Sequence, residues 1–163
     1  MRQVNNVLLL FCRYAIIVMV PVMAAVIFVQ VVLRYVFLSP FSWAEELSRY
    51  LLVWITCLGS AYALRDGMHI SISFMRNKFK GPLQTIVTVA IHLVTLGFFI
   101  YCIKEGYAFA ASQWTQRSTA MQIPMTFPLM AIPLGFGIMF LVGLESFMAE
   151  IRPMFKTNVS SWS

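Results

Sequence analysis

The chain is 163 residues long, and 60% of its residues are apolar while 11% are charged. A mean hydropathy of +0.80 excludes an ordinary soluble domain and predicts an integral membrane protein. The length allows about four spans of roughly 20 residues with short connectors. The net charge of +6 does not indicate a nucleic-acid partner, because the basic residues stand at the edges of the apolar runs.

Four apolar runs predict an all-α integral membrane protein that forms a single membrane domain over residues 1–163. The first run continues from Tyr14 to Leu33, which is too long for the apolar part of a signal peptide. We therefore expect it to be retained as the first span. Pro133 should kink the fourth span. The predicted spans cover about 14–38, 47–64, 83–103 and 125–144, with an outer hairpin over about 104–123.

The connector between spans two and three has an apolar stripe at helical spacing, at positions 68, 72, 75 and 79. This pattern predicts a short amphipathic helix over about 68–80 that lies flat at the membrane surface. Its cationic side chains are expected to contact lipid headgroups. They belong to Arg76, Lys78 and Lys80.

The distribution of lysine and arginine predicts the orientation of the chain. With the N-terminus inside, eight of these residues lie on the cytoplasmic side and four on the other. Because cytoplasmic loops carry the excess of positive charge, both termini are expected in the cytoplasm. The start of span two and the 104–123 hairpin then face outward.

Three charges stand directly before the second apolar run. Ser42 and Glu45 have the spacing of a capping box, and Arg49 lies within helical reach of both Glu45 and Glu46. Charges this close to hydrocarbon need partners or a function. We expect a structural or subunit-interface ion-pair cluster of Glu45, Glu46 and Arg49, with Arg34 across the turn as a second cation.

Aromatic residues near the ends of the spans are expected to anchor the chain at the membrane interfaces. At the inner end of span two, Arg65 and His69 are expected to order the helix and the segment after it. The predicted anchors are Trp43, Tyr50, Trp54 and Trp114.

A polar stripe runs along one face of span three and includes Thr85, Thr88, His92 and Thr95. An ionisable group inside a membrane suggests a function, but we favour a neutral histidine that is hydrogen-bonded across a helix interface. A haem held jointly by His69 and His92 is excluded, because the two differ in depth by about 14 Å.

The sequence contains no phosphate-binding glycine loop, no metal-spaced Cys/His set and no nucleophile beside a base. The three cysteines lie in or beside different apolar runs, which is typical of buried apolar residues. We therefore expect no enzyme, no cofactor and no metal. Since no predicted span carries an acidic midplane residue, the chain is interpreted as a partner or scaffold and not as a complete transporter.

The motif Trp43-x-Glu45-Glu46-x-x-Arg49-Tyr50 is followed by Trp54, Gly59, Arg65 and His69-Ile70. This pattern resembles the small membrane (DctQ-type) subunit of tripartite ATP-independent periplasmic (TRAP) transporters. The similarity extends through Ile132-Pro133-Leu134-Gly135 to about Leu144. One departure is Ser73, where the family often has an acid.

The resemblance implies a small permease subunit in a bacterial inner membrane. A periplasmic substrate-binding protein would deliver organic acids, such as sialic acid or dicarboxylates, to a large multi-span permease subunit driven by sodium. The small subunit would brace the stationary scaffold of the large one. Two alternatives stay open: a membrane anchor of a redox enzyme that binds haem or quinone near His92, and a small stand-alone transporter acting as an oligomer.

Overall fold

The computed structural model describes residues 2–38, 41–78 and 82–159, and these form an all-α membrane protein. Within those ranges the description is limited to the backbone at 2, 4, 66–78, 82, 84, 85, 150 and 152–159. Four long helices and one short helix follow one another along the chain. They are α1 (Arg2–Tyr35), α2 (Ser42–Lys78), α3 (Pro82–Ser112), α4 (Thr126–Leu129) and α5 (Ala131–Val159).

Four helical stretches are long and apolar enough to cross a membrane: Asn5–Tyr35, Ser42–Arg65, Ile86–Ser112 and Thr126–Ala149. A helix suits this environment because it pairs its backbone polar groups internally, where no water can do so. Large apolar side chains are exposed along these stretches, including Phe28 and Val94. This outward apolar surface fits contact with lipid.

Helices α2 and α5 form the centre of the bundle. Helix α1 packs on α2, α3 packs on α5, and α2 packs on α5. Ala61 of α2, Phe99 of α3 and Met139 of α5 form a small buried core. The edge of one phenyl ring meets the face of another where Phe98 and Phe136 pack, with ring centroids 6.0 Å apart.

Helices α2 and α5 approach each other closely at Gly135. A Cβ atom placed on Gly135 would lie 2.8 Å from Cys57 Cβ and 3.2 Å from Cys57 O. Only a residue without a side chain allows the two backbones to come this close. At Gly59 the nearest atom to an added Cβ would be Ile16 Cδ1, at 4.0 Å, which leaves ordinary contact distance.

The predicted fourth span is interrupted near its beginning. Helix α4 ends at Leu129 and α5 begins at Ala131, while the Met130 N–H still donates to Thr126 O at 2.9 Å. Pro133 has no N–H to donate to Leu129 O, so one helical bond is lost at this point. The proline therefore marks a break between two helices at Met130, instead of a kink inside one helix.

Helical backbone continues in α2 through Lys78. The segment 68–78 is thus helical, but it follows the second span without an interruption and does not form a separate helix. Residues 79 and 80 lie outside the described residues. A flat orientation of this segment at the membrane surface stays a prediction.

Candidate functional site

The two glutamates at the head of α2 have different surroundings. Adjacent residues of an α-helix point about 100° apart, because 3.6 residues make one turn. Glu45 is exposed, whereas Glu46 is half-buried. The helix head itself is fixed by the Ala44 N–H, which donates to Phe41 O at 3.2 Å, and by the burial of the Ala44 side chain.

The Glu46 carboxylate joins α2 to the connector between α3 and α4. Its Oε2 accepts the backbone N–H of Ala120 at 3.0 Å and that of Met121 at 2.9 Å. Its Oε1 accepts the Tyr50 hydroxyl. A carboxylate held by backbone amides makes charge-assisted hydrogen bonds, which are stronger than bonds between neutral groups. We call this set of four residues the Glu46 clasp.

The connector, residues 113–125, folds so that two adjacent amides point at Glu46. The Ser118 N–H donates to Ile123 O at 2.9 Å, and the Met125 N–H donates to Gln116 O at 2.9 Å. Gln122 adopts a left-handed φ of 56° inside this turn. Successive N–H groups in such a turn form a concave site that suits an anion.

Polar contacts also hold the base of the connector. The Thr126 hydroxyl donates to Ala110 O at 2.8 Å, in a buried position. The Arg117 Nη1 group donates to Gln122 O at 3.1 Å. The connector is therefore an ordered structure that links the C-terminal end of α3 to α4 and α5.

The predicted ion-pair cluster divides into three parts. Arg49 Nη2 lies 3.5 Å from Glu45 Oε1, and the two side chains are 70% and 64% exposed. Glu46 forms no salt bridge with Arg49 and is instead directed to the clasp. Arg34 is exposed and forms no salt bridge within the described ranges. Of the two acids, only Glu45 pairs with Arg49 among the described residues, and a role of the cluster at a subunit interface stays a prediction.

The Glu45 side chain does not complete the expected capping box with Ser42. Glu45 extends along the helix to Arg49, one turn later, instead of turning back to the helix start. An exposed pair of this kind contributes only about 0.3–0.5 kcal/mol. The energetically distinctive acid is therefore Glu46.

The predicted aromatic anchors fall into different environments. Trp43 is exposed and stacks on Phe41, with ring centroids 5.9 Å apart. Trp114 is also exposed and packs on Phe127. Trp54 is half-buried. The Tyr50 hydroxyl donates to Glu46 in the clasp.

On α3, Thr88 and His92 are buried and Thr95 is half-buried. His92 is 3% exposed, and its Nδ1 lies 2.9 Å from Thr88 O in the same helix. Its Nε2 has no hydrogen-bond partner among the described residues, and its ring packs on Phe147 with centroids 5.6 Å apart. The side chain of Thr85 lies outside the described residues.

His92 is bonded within its own helix and packs on Phe147, whereas the sequence led us to expect a hydrogen bond across a helix interface. A purely structural role for His92 stays a prediction. Replacing His92 with leucine should change the free energy of unfolding by less than about 1 kcal/mol, because an apolar group of similar size removes the unpartnered nitrogen. Thermal unfolding in detergent checks this prediction. A larger loss of stability would contradict it, and a Soret band in the wild-type spectrum, or lost transport in a stably folded His92→Leu protein, would contradict a purely structural role for His92.

The inner end of α2 is described only in part. Arg65 is half-buried. The side chains of His69, Arg76 and Lys78, and the whole of Lys80, lie outside the described residues. Their predicted roles in ordering the inner end and in contacting headgroups stay predictions.

A second polar contact was missed by the sequence analysis. Asn5 is 4% exposed, and its Nδ2 donates to Glu145 Oε2 at 2.6 Å and to Leu141 O at 3.1 Å. The predicted spans began at 14 and ended at 144, so both partners were left out. The helical spacing of Asn5, Leu9 and Cys12, all buried, was the available signal.

The described part of the chain contains no group of three His, Cys, Asp or Glu residues that could hold a metal ion. The site that the structure builds is thus a polar tie between helices. Its chemistry is hydrogen bonding to an anion, without a nucleophile placed beside a base. Such a tie can hold two elements together but does not itself transform a substrate.

Comparison with known proteins relates the chain to transport components. The chain is 34% identical over 103 residues to a Haemophilus influenzae protein provisionally named as a TRAP transporter small permease; the match covers 63% of this chain and 61% of that protein. It is 29% identical to the sialic acid TRAP transporter small permease protein SiaQ of Vibrio cholerae, over 79% of this chain and 76% of the relative.

A third relative is larger. The isethionate TRAP transporter permease protein DctMQ of Oleidesulfovibrio alaskensis is 23% identical over 68% of this chain, and the match covers 18% of that protein. The chain thus spans about three fifths of the first relative and a much smaller part of this one.

The sequence model of the family described as "Tripartite ATP-independent periplasmic transporters, DctQ component" matches residues 23–152 of the chain. This range includes the head of α2, the connector and most of α5. Members of this family are transporter components and not enzymes, and the redox-anchor alternative is not favoured. The chain belongs to the DctQ-component family of tripartite ATP-independent periplasmic transporters.

Proposed function

We propose that this chain is the small permease subunit of a TRAP importer and braces a large multi-span permease subunit. The observation that carries the proposal is the Glu46 clasp. In it, a charged side chain at the head of a predicted span holds α2 to the connector. A carboxylate that coordinated a transported ion would need oxygens open to that ion. Both oxygens of Glu46 are instead engaged by groups of the chain itself.

The arrangement of the helices supports the proposed bracing role. The clasp connects the head of α2 to the connector that leads from α3 to α5, and α2 also packs on α5 along the bundle. Connectors without such ties belong to the least stable parts of a protein. A tied connector keeps the outer ends of three helices in fixed positions, as a stationary support requires.

The proposed partners and setting follow from the family. A periplasmic substrate-binding protein would deliver the solute, and a sodium gradient would drive its import through the large subunit. Relatives are named for sialic acid and for isethionate, so we propose an organic acid as substrate. The residues that select it would lie in the other two subunits. We place the protein in the bacterial inner membrane with both termini in the cytoplasm.

The membrane surfaces would be contacted at both ends. On the outer side, Trp43 and Trp114 would act as interfacial anchors. On the inner side, Arg65 and His69 would order the end of the second span. Arg76, Lys78 and Lys80 would then contact lipid headgroups, as juxtamembrane cations do.

Reconstitution in proteoliposomes tests the proposal. Both permease subunits together with the binding protein should give sodium-dependent uptake, and omission of this chain should abolish uptake. The chain alone should give none. Uptake by this chain alone would favour the stand-alone transporter, and undiminished uptake without it would refute the bracing role.

A further inference from the structure

The Tyr50 hydroxyl has two possible acceptors on different segments of the chain. One is Glu46 Oε1, one turn earlier on α2. The other is the thioether of Met125, whose Sδ lies 3.3 Å from the hydroxyl oxygen. A hydroxyl has one proton to donate, and a thioether accepts only weakly in comparison with a carboxylate. Tyr50 therefore donates to Glu46, and the sulfur contacts the hydroxyl without receiving its proton.

Met125 stands where a small dissolved oxidant can reach it. It directly precedes the stretch Thr126–Ala149, which is apolar enough to cross a membrane. Its side chain is half-buried, whereas Met139 lies in the buried core at 8% exposure. An accessible methionine sulfur can be converted to a sulfoxide, which changes an apolar side chain into a polar one. Here that sulfur lies beside the Glu46 clasp.

We propose that Met125 is an oxidation site that loosens the Glu46 clasp, with a hydroperoxide as the oxidant. A lone pair of the Met125 sulfur attacks the hydroxyl oxygen of the peroxide, so that an S–O bond forms as the O–O bond breaks. The sulfur loses two electrons, and the peroxide is reduced to an alcohol, or to water in the case of hydrogen peroxide. The proton of the transferred oxygen passes to the leaving oxygen, and the product is a neutral sulfoxide.

The sulfoxide changes the competition for the Tyr50 proton. Its oxygen is a strong acceptor and is attached to a sulfur that already lies 3.3 Å from the Tyr50 hydroxyl oxygen. Tyr50 then donates to the sulfoxide, and Glu46 keeps only the amides of Ala120 and Met121. The connector is held less firmly as a result. A methionine sulfoxide reductase restores the thioether, so the change is reversible.

Peroxide treatment of the full-length chain in detergent tests the proposal. Mass spectrometry measures the sulfoxide at Met125, and hydrogen exchange measures the opening of the connector before and after treatment. Met125→Leu removes the sulfur at nearly constant volume. Met130→Leu is the matched control, because Met130 is also half-buried but lies outside the clasp. Tyr50→Phe removes the hydroxyl through which the sulfoxide would act.

Peroxide should speed exchange at Ala120 and Met121 about two- to tenfold in the wild type and in Met130→Leu, as the loss of one hydrogen bond implies. Met125→Leu and Tyr50→Phe should show no such increase, and enzymatic reduction of the sulfoxide should reverse it.

An equal increase in Met125→Leu or in Tyr50→Phe would overturn the proposal, because the effect would then need neither the sulfur nor the hydroxyl. A wild-type chain that resists oxidation at Met125, or that exchanges unchanged when fully oxidised there, would overturn it as well. Because the test uses this chain alone, its result does not depend on the proposed role in an importer.

Discussion

Replacing Glu46 with alanine should release the connector, residues 113–125, from the head of α2. The Ala120 amide would lose its acceptor, the Met121 amide would keep only the weaker bond to Ser118 Oγ at 3.2 Å, and the Tyr50 hydroxyl would lose its carboxylate partner. Unsatisfied donors in a partly buried site are costly, so the connector should open more often. Hydrogen exchange in detergent should show several-fold faster exchange at Ala120 and Met121.

Glu45→Ala is the matched control, since it removes an equal charge from the adjacent position. Glu45 contacts only the exposed Arg49 within the described residues, so its loss should leave exchange in the connector unchanged. In the reconstituted importer, uptake should fall with Glu46→Ala and persist with Glu45→Ala. Equal exchange rates in the two variants would show that the clasp does not hold the connector.

Replacing Gly135 with alanine should lower the free energy of unfolding by about 1–3 kcal/mol, the usual cost of overpacking. The new Cβ would meet Cys57 Cβ at 2.8 Å and Cys57 O at 3.2 Å. The second of these atoms belongs to the backbone and cannot move aside, so α2 and α5 must separate. Thermal unfolding in detergent, compared with the wild type, measures the loss.

Gly137 supplies the control in the same helix, two residues away. No atom lies within 4 Å of a Cβ added there, so Gly137→Ala should be neutral or should stabilise by up to about 1 kcal/mol through helix propensity. A Gly135→Ala protein as stable as the wild type would mean that the two helices are not held together at this contact.

The sequence predicted well what depends on neighbours along the chain. Long apolar runs indicated membrane-spanning helices, and the i,i+4 spacing predicted the pair of Glu45 and Arg49. Glu46 also has a cation within helical reach, but its carboxylate accepts hydrogen bonds from backbone amides that lie far along the chain. Backbone donors belong to every residue type, so no pattern of side chains could mark Ala120 and Met121.

The other differences also arise from contacts between distant segments. The bond from Asn5 to Glu145 joins α1 to α5 and lies outside the apolar runs that defined the spans. The close approach of Cys57 and Gly135 depends on how α2 and α5 cross, which helix periodicity does not specify. Pro133 was expected to kink the fourth span, whereas α4 ends at Leu129 and α5 begins at Ala131.

The clasp also has a consequence for how the protein is made. Glu46 and its two amide partners are separated by 74 and 75 residues. At a synthesis rate of about 5–20 residues per second, the ribosome needs roughly 4–15 s to supply them. During that interval Glu46 must remain hydrated at the membrane surface. Closure of the clasp therefore reports that the third helix and its connector have been inserted in the correct orientation.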